Sequence, residues 1–306
     1  MRTDGGALYT QIEQQLPSFI QHNHSKFSKF VEKYYEFLEL NLVTFNDLDL
    51  NEDKPIQEVP VPPRVEKDAE KFVLDLKKKT ADFKKRYGER YKDVMYATAM
   101  KMAKKKHFVA QEMIDTEKKY VDSLKRIVGN YYRPLMSACG TDRQILDRQE
   151  IKTIFSNMEQ LLLLNVELLA DLEKEGPDGD IGGVFMRIAP FLKMYHVYLD
   201  QAEDAGKAVR KRIMRDASMV ELKATSGNKF DLMDSKQKKV SFRAFCKRMA
   251  LETGEQLQSL LIKPVQRIPR YRMLLESLIK YTPEKHSDHA RLKKALQSVR
   301  FFLYVR

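Results

Sequence analysis

Hydrophobic residues recur at three- and four-residue spacing along most of the chain, which is the spacing of one face of an α-helix. In the first fifty residues Phe27, Val31 and Leu38 lie on one such face. No segment alternates strictly enough to predict a strand, so the predicted fold class is all-α. From His107 onward the pattern predicts long amphipathic helices at about 107–131, 143–174, 184–203, 205–224, 240–281 and 286–305.

Prolines, glycines and charge runs divide the chain. The stretch Asp47–Val65 is acidic and then proline-rich, and it predicts an extended linker because a helix does not continue through clustered prolines. Shorter breaks are expected at Arg133-Pro134, Gly176–Gly183, Ser226–Lys239 and Thr282-Pro283. We therefore predict an N-terminal helical segment at 1–46, a linker at 47–65, a basic helical segment at 66–106 and a final domain at 107–306.

Composition narrows the class of protein. Only 12 glycines and 11 prolines occur in 306 residues, too few for a β-sandwich with a turn every few residues. Two cysteines, Cys139 and Cys246, exclude a disulfide framework and a cysteine-based metal site. The most apolar stretch, Leu161–Leu164, is soon followed by charged residues, and no membrane span or signal peptide is predicted. We expect a cytoplasmic protein with no metal or other cofactor.

Histidine pairs at His22/His24 and His286/His289 have no further ligands at suitable spacing, and we do not interpret them as metal sites. The net charge of +12 makes an acidic partner plausible. Basic runs concentrate between Lys77 and Lys106. A solvated face is the simplest interpretation of them. The alternative is contact with an anionic membrane through Lys77–Lys106, which would make the protein membrane-peripheral; nucleic acid is not the expected partner.

Two predicted helices carry the residues of greatest interest. In AQEMIDTEKKYVDSL, Glu112 lies beside an apolar stripe near the helix start, where the helix dipole favours a carboxylate. In LQSLLIKPVQRIPRYRMLLESLIKYTP, two prolines, Pro264 and Pro269, lie inside the predicted helix and would bend it. Basic residues from Lys263 to Arg270 cluster around that bend. Taken singly, each pattern also fits ordinary surface residues.

Taken together, these segments resemble a known family. The run QEMIDTEKKYVDSL resembles the first signature region of Dbl-homology domains, the catalytic modules of Rho-family guanine-nucleotide exchange factors, and LQSLLIKPVQRIPRYRMLLESLIKYTP closely resembles the third. Between them, FSNMEQLLLLNVELLADLE and VFMRIAPFLKMYHVYLDQAEDAGKAV match the intervening helices in order and spacing. The resemblance covers residues from about 107 to 306 and implies an elongated helical bundle, preceded here by extra N-terminal helices.

The resemblance also implies roles for individual residues. Glu112 matches the glutamate that accepts hydrogen bonds from the first switch of the GTPase, and Lys263 matches the lysine that contacts the second switch. Arg300 stands where a polar residue, often asparagine, is expected to face the partner. The role of Glu117 is left open. Four residues are expected to support this surface: Thr116, Tyr120, Gln266 and Arg267.

The activity that the resemblance implies makes no covalent bond. An exchange factor binds the nucleotide-free GTPase more tightly than the nucleotide-bound form, and linkage requires it to weaken nucleotide binding by the same factor. Two departures from the family pattern stand out. Arg300 replaces the expected residue, and the chain stops at Arg306, where the last helix is expected to continue and a pleckstrin-homology domain usually follows.

Two other functions stay open on the sequence. One is a catalytically silent helical scaffold that binds a GTPase or another protein. The other is a basic structural protein associated with membrane or nucleic acid, since LPSFIQHNHSKFSKFVEKYYEFLE and FKKRYGERYKDVMYATAMKMAKKKH faintly resemble segments of tailed-phage structural proteins. The identity of the GTPase does not follow from the sequence.

Overall fold

The protein, in a computed structural model, is described over residues 62–225, 240–286 and 288–304. These ranges contain helices and no β-strand, which confirms the predicted all-α class. None of their helices is long and apolar enough to cross a membrane. In chain order the helices are α1 Pro63–Leu76, α2 Thr80–Tyr87, α3 Tyr91–Arg126, α4 Arg133–Ala138, α5 Arg148–Phe155, α6 Met158–Glu175, α7 Ile181–Ile188, α8 Met194–Thr225, α9 Phe242–Thr253, α10 Leu257–Leu261, α11 Lys263–Lys280 and α12 His289–Tyr304.

Some of the predictions lie outside the described residues. They are the helix expected within 1–46, the first part of the linker at 47–65, the pair His22/His24 and the loop Ser226–Lys239. The boundaries of the four predicted segments stay predictions.

Among the described residues, α3 is the longest helix. Its 36 residues extend about 54 Å at the usual 1.5 Å rise per residue. We expected a helix to start at His107, but α3 runs through that position without interruption. The reason is that Ala103, Lys106 and Ala110 continue its buried face and no proline or glycine intervenes. The first half of α3 packs against α1, and the second half packs against α6 and α11.

The basic segment folds back on itself and is not one helix. It is broken by 3₁₀ turns at Lys77–Lys79 and Gly88–Arg90, and Gly88 has a φ of 58°, which favours glycine. Val65 and Phe72 of α1 form a small core with Ala99 and Ala103 of α3. α1 begins at Pro63, inside the expected linker, because proline is well tolerated in the first turn of a helix.

A buried polar cluster fastens this hairpin to the rest of the bundle. Lys106 is 4% exposed, and its Nζ lies 2.6 Å from Oδ2 of Asp68. The ring of His286 lies 3.3 Å from Oδ1 of the same carboxylate. Burial acts to raise the pKa of Asp68, but the hydrogen bonds and charges of His286 and Lys106 outweigh burial and lower that pKa well below its usual range. A polar link therefore connects α1 and α3 with the segment before α12.

The helix expected at 240–281 is three helices. Gly254 adopts a left-handed conformation with φ of 76° and ends α9, a common way for a helix to stop. Pro264 lies in the first turn of α11, where its missing N–H costs nothing, so it lies at the start of a helix and not in the interior of one. Only Pro269 lies inside α11, as we expected of both prolines.

Other predicted breaks also moved. The helix expected at 143–174 starts later, at the capping box of Asp147 and Glu150, and is divided at Ser156, which has a φ of 48°. The gap expected between 203 and 205 does not exist, since α8 continues through it; the chain turns earlier, in the 3₁₀ segment Ala189–Lys193.

Two predicted breaks contain helical residues. Arg133-Pro134 begins α4, directly after a π-helical segment at Ile127–Tyr132, because proline is tolerated in the first turn. The turn expected at Gly176–Gly183 ends early, where Asp180 accepts from the backbone N–H of Gly183 and caps α7.

Candidate functional site

Two helices, α3 and α11, lie antiparallel and exchange side-chain contacts along their length. Glu112 pairs with Arg270, Nη2 of Arg267 lies 3.5 Å from Oγ1 of Thr116, and Nζ of Lys263 lies 2.9 Å from Oγ of Ser123. As residue numbers rise along α3, their partners' numbers fall along α11. We call the following residues of this line the seam: Glu112, Thr116 and Ser123 on α3 with Lys263 and Arg270 on α11. Arg267 lies beneath it.

One end of the seam holds an exposed ion pair. Nη2 of Arg270 donates to Oε1 of Glu112, and the two side chains are 31% and 46% exposed. Glu112 therefore lies on the surface, where a partner could reach it. Sequence reasoning placed Arg270 near the bend without assigning it a role; its position in a basic cluster beside the predicted contact residues was the available signal.

Lys263 lies at the other end of the seam and is not beside Glu112. Its contact Ser123 is eleven residues after Glu112, which is about 16 Å along α3. The Lys263 ammonium also lies 2.5 Å from Oε2 of Glu255, in the turn before α10. Both predicted contact residues therefore belong to one surface, but a partner would have to span the seam to touch both.

Arg300, the third predicted contact residue, packs against α11. Its Nη2 donates to Oε1 of Glu276 at 2.7 Å, and Arg272 donates to the same oxygen at 3.0 Å. Burial opposes ionisation of Glu276, but hydrogen bonds from Arg300 and Arg272 lower its pKa. The Arg300 side chain is 48% exposed, so its guanidinium is accessible while held by this carboxylate.

Beneath the seam lies a buried ion pair. Arg267 donates to Oε2 of Glu117 from Nε at 3.1 Å and from Nη2 at 2.5 Å. The guanidinium also faces the rings of Tyr271 and Tyr120, at 4.6 and 5.2 Å from their centroids. Burial alone would lower the pKa of Arg267, but the charge of Glu117 outweighs it and raises that pKa, so the guanidinium stays charged.

A chain of hydrogen bonds extends from this pair across the bundle. The hydroxyl of Tyr271 donates to Oε2 of Glu117 at 2.7 Å and lies 2.9 Å from Oδ1 of Asn165 on α6. Tyr195 on α8 donates to the same Asn165 oxygen at 3.0 Å, and its oxygen lies 3.1 Å from the Tyr120 hydroxyl. Burial raises the pKa of all three tyrosines, so their hydroxyls keep their protons. The network links four helices.

The four expected supporting residues divide into three groups. Tyr120 and Arg267 are buried beneath the seam, Thr116 is half-buried within it, and Gln266 is exposed. Gln266 therefore lies on the surface, where a partner could reach it, and not underneath, because its position on α11 falls outside the buried stripe of Val265, Ile268 and Tyr271.

Most of the buried network was not predicted from the sequence. Glu117 was left open, and Asn165, Tyr195 and Tyr271 were not identified as a cluster. Each occupies a position of an apolar stripe, so its spacing predicts a core residue and does not indicate a polar contact. Asn165, directly after four leucines, was the strongest available signal, since a polar residue on a buried face must find hydrogen-bond partners.

The seam is a line of charged and polar groups, part of it on the surface. It presents a carboxylate, an ammonium and a guanidinium from two helices that the buried network fixes in place. Such groups can bind complementary charged and polar groups of a folded partner. Within the described ranges, no three or more His, Cys, Asp or Glu residues are grouped so that they could hold a metal ion.

Comparison with known proteins identifies related chains. The RhoGEF domain family model matches residues 109–303. The chain is similar to Myosin-M heavy chain of Dictyostelium discoideum, with 29% identity over 195 residues, which is 62% of this chain and 10% of that protein. It is also similar to Rac guanine nucleotide exchange factor B of the same organism, with 29% identity over 221 residues, 63% of this chain and 17% of that protein.

A solved structure shares the fold. It is the complex of the DH/PH domains of PDZ-RhoGEF with GTP-gamma-S activated RhoA, with a TM-score of 0.51 and 20% identity; the match covers 65% of this chain and 52% of that one. The chain spans less than a fifth of the length of the two relatives above.

Proposed function

Since this chain belongs to the RhoGEF family, we propose that its helical bundle accelerates the release of GDP from a Rho-family small GTPase. The observation that carries the proposal is the seam, where exposed charged groups are held by a buried network. The names of relatives point the same way: one is a Rac guanine nucleotide exchange factor, and a structural neighbour is bound to RhoA. We place this activity in the cytoplasm.

The proposed mechanism is differential binding. The seam would bind the nucleotide-free GTPase more tightly than the GDP form, and by linkage it would weaken GDP binding by the same factor. In this proposal Glu112 accepts hydrogen bonds from one switch of the GTPase. Lys263 contacts the other switch from beside Ser123, which lies about 16 Å from Glu112 along α3. Because Glu112 is already paired with Arg270, the partner must displace or share that guanidinium.

Rigidity beneath the seam supports this mechanism. A factor that remodels the switches of its partner must itself keep its shape, and a preorganised surface loses less conformational entropy on binding. The Glu117–Arg267 pair and its tyrosines join α3 to α11, the two helices that carry the proposed contacts.

The test is release of a fluorescent GDP analogue from a panel of Rho-family GTPases. We expect the full chain to accelerate release from at least one member and Glu112→Ala to abolish most of the acceleration. Glu173→Ala, an exposed carboxylate on α6, is the matched control and should behave as wild type. No acceleration on any member, from a folded chain that still binds a GTPase, would replace this proposal by the silent scaffold.

Lys263 and Arg300 need controls of their own because each already has a partner within the chain. If Lys263 contacts the GTPase, Lys263→Ala should lower exchange and Glu255→Ala should not. If Arg300 does so, Arg300→Ala should lower exchange more than Glu276→Ala. Equal losses within either pair would mean that the residue acts only by shaping the seam.

A further inference from the structure

The turn that joins α1 to α3 carries a large share of the charge of the chain. Between Lys77 and Lys92 there are eight Lys and Arg residues and two acidic residues, Asp82 and Glu89, a net of +6 compared with +12 for all 306 residues. We call residues 77–92 the basic tip. It comprises the first 3₁₀ turn, α2, the second 3₁₀ turn and the start of α3, and the proposed exchange activity makes no use of it.

Every basic side chain of the tip is exposed, and little of its charge is neutralised by other residues that the structure describes. Neither 3₁₀ turn contains a buried residue, nor does α2. Among the ion pairs of the described residues, one reaches the tip: Lys78 to Asp75 at 3.4 Å. A concentration of like charge of this kind costs free energy through self-repulsion and is relieved by an anionic surface.

Aromatic rings lie among these charges. Lys84 and Lys92 lie over the ring of Tyr91, at 5.2 and 6.0 Å from its centroid, and Phe83 packs against Tyr87 at 5.9 Å. Tyr87 is itself 46% exposed. Tyrosine and lysine share an apolar body with a polar end, and this combination is enriched where proteins meet the headgroup region of a bilayer.

The exposure of the basic and aromatic residues of the tip favours one of two anionic partners. The eight basic residues are exposed on a short turn at the end of a two-helix hairpin, and Tyr87 is more exposed than the other tip aromatics, Phe83 and Tyr91. Single-stranded nucleic acid is usually bound in a groove that tracks its backbone, with several stacking aromatics. An exposed basic turn with a single well-exposed aromatic ring fits the surface of an anionic bilayer better.

The tip is firmly attached to the helix that carries Glu112. The core of Val65, Phe72 and Ala99 holds α1 on α3, and Lys106 with Asp68 closes the other end of the hairpin. From Tyr91 to Glu112 α3 is uninterrupted, a separation of 21 residues or about 32 Å. Whatever the tip binds is therefore held at a defined distance along α3 from the seam.

We propose that the basic tip binds the surface of an anionic lipid bilayer. Electrostatic attraction of the eight basic residues provides the binding, and Tyr87 adds contact with the headgroups. Each basic residue near such a surface strengthens binding about fivefold. This proposal is independent of the exchange activity, because it concerns a different surface and is measured without a GTPase.

The experiment is co-sedimentation of the full chain with vesicles of phosphatidylcholine alone or mixed with phosphatidylserine. We expect binding only to the mixed vesicles, decreasing as salt rises. The variant Lys84→Glu/Lys85→Glu/Arg86→Glu should bind at least about 100-fold more weakly, since three attractive residues are lost and reversed. Tyr87→Ala should weaken binding by a smaller factor.

The matched control reverses three exposed basic residues of α8, in Arg210→Glu/Lys211→Glu/Arg215→Glu, with the same change in net charge. We expect it to keep vesicle binding close to wild type. Equal loss in both triple variants would show that net charge alone acts and would overturn the proposal. Binding without phosphatidylserine would overturn it too, as would a tip variant that loses RNA or DNA binding while keeping vesicle binding. Circular dichroism confirms that each variant is folded.

Discussion

Arg267 and Glu117 form an ion pair in which two of the three guanidinium nitrogens, Nε and Nη2, donate to one carboxylate oxygen, with the Arg267 side chain 6% exposed and that of Glu117 fully buried. The other oxygen of Glu117, Oε1, is buried and accepts no hydrogen bond within the described part of the chain. Taking both charges out of water is costly, but removing only one of them leaves an uncompensated buried charge. Replacing one residue of the pair should therefore destabilise the fold more than replacing both.

We expect Arg267→Met to lower the free energy of unfolding by about 3–5 kcal/mol, because it leaves Glu117 buried without its cation. The double variant Glu117→Leu/Arg267→Met should lose much less, since no buried charge remains. Urea unfolding followed by circular dichroism measures both. If the double variant were as unstable as the single one, packing and not charge compensation would be the main role of the pair.

A different outcome is expected for the exposed pair at the end of the seam. Because Glu112 and Arg270 are partly exposed, their ion pair should contribute at most about 1 kcal/mol to stability. Glu112→Ala should nevertheless cost about 2–5 kcal/mol in binding the nucleotide-free GTPase, and so reduce exchange by more than tenfold. Thermal melts and GDP-release rates on the same samples separate the two effects. Loss of stability in proportion to loss of exchange would contradict the assignment.

Two glycines provide a matched test of packing. A Cβ at Gly182 would lie 2.5 Å from Oδ1 of Asp288 and 2.7 Å from the backbone nitrogen of Leu292, so α7 can approach the start of α12 only without a side chain. A Cβ at Gly206, within α8, would meet only Nη1 of Arg210 at 4.0 Å. We expect Gly182→Ala to destabilise by about 1–3 kcal/mol.

Gly206→Ala should instead stabilise by about 0.5–1 kcal/mol, because alanine restricts the unfolded chain more than glycine does. Denaturant midpoints measure the two variants side by side. The same sign of change for both would mean that the close approach of α7 and α12 is not under steric control.

Asp288 should make stability depend on pH in an unusual direction. Burial raises its pKa to about 6, although the charge of Lys106 and the N–H of Gly182 oppose the shift. Between about pH 4 and 6 the folded chain therefore holds a proton that the unfolded chain has released, and the contribution of Asp288 to stability falls as pH rises through this range.

Asp288→Asn removes that titration and keeps an oxygen for the Gly182 N–H. We expect it to raise the free energy of unfolding above pH 6 by up to about 3 kcal/mol and to change it little below pH 4. Urea unfolding at both pH values tests this. An equal change at the two pH values would show that the substitution acts through packing and not through ionisation.

Periodicity was enough to predict the all-α class, and the signature segments were enough to predict the family. Periodicity could not predict where helices end, because those ends depend on single backbone conformations such as the left-handed Gly254. It could not predict the pairing of Arg270 with Glu112 either, since two helices 158 residues apart in sequence must first pack. The buried network could not be predicted for the same reason, because Asn165 and Tyr271 are far apart in sequence and form their hydrogen bond only in the folded chain.

The continuity of α3 has a consequence for how the protein can be divided experimentally. A fragment that started at 107 would begin in the middle of a helix, and Glu112 would lie within two turns of a newly cut end, where helices fray. It would also leave His286 without Lys106 and Asp68. Slower exchange by such a fragment would result from fraying of α3. Faster exchange would result from removal of residues that cover the seam, but fraying of α3 would obscure the size of that effect. A fragment that starts at residue 62 keeps α3 intact. Comparing exchange by residues 62–306 with exchange by the full chain would show whether residues 1–61 shield the seam.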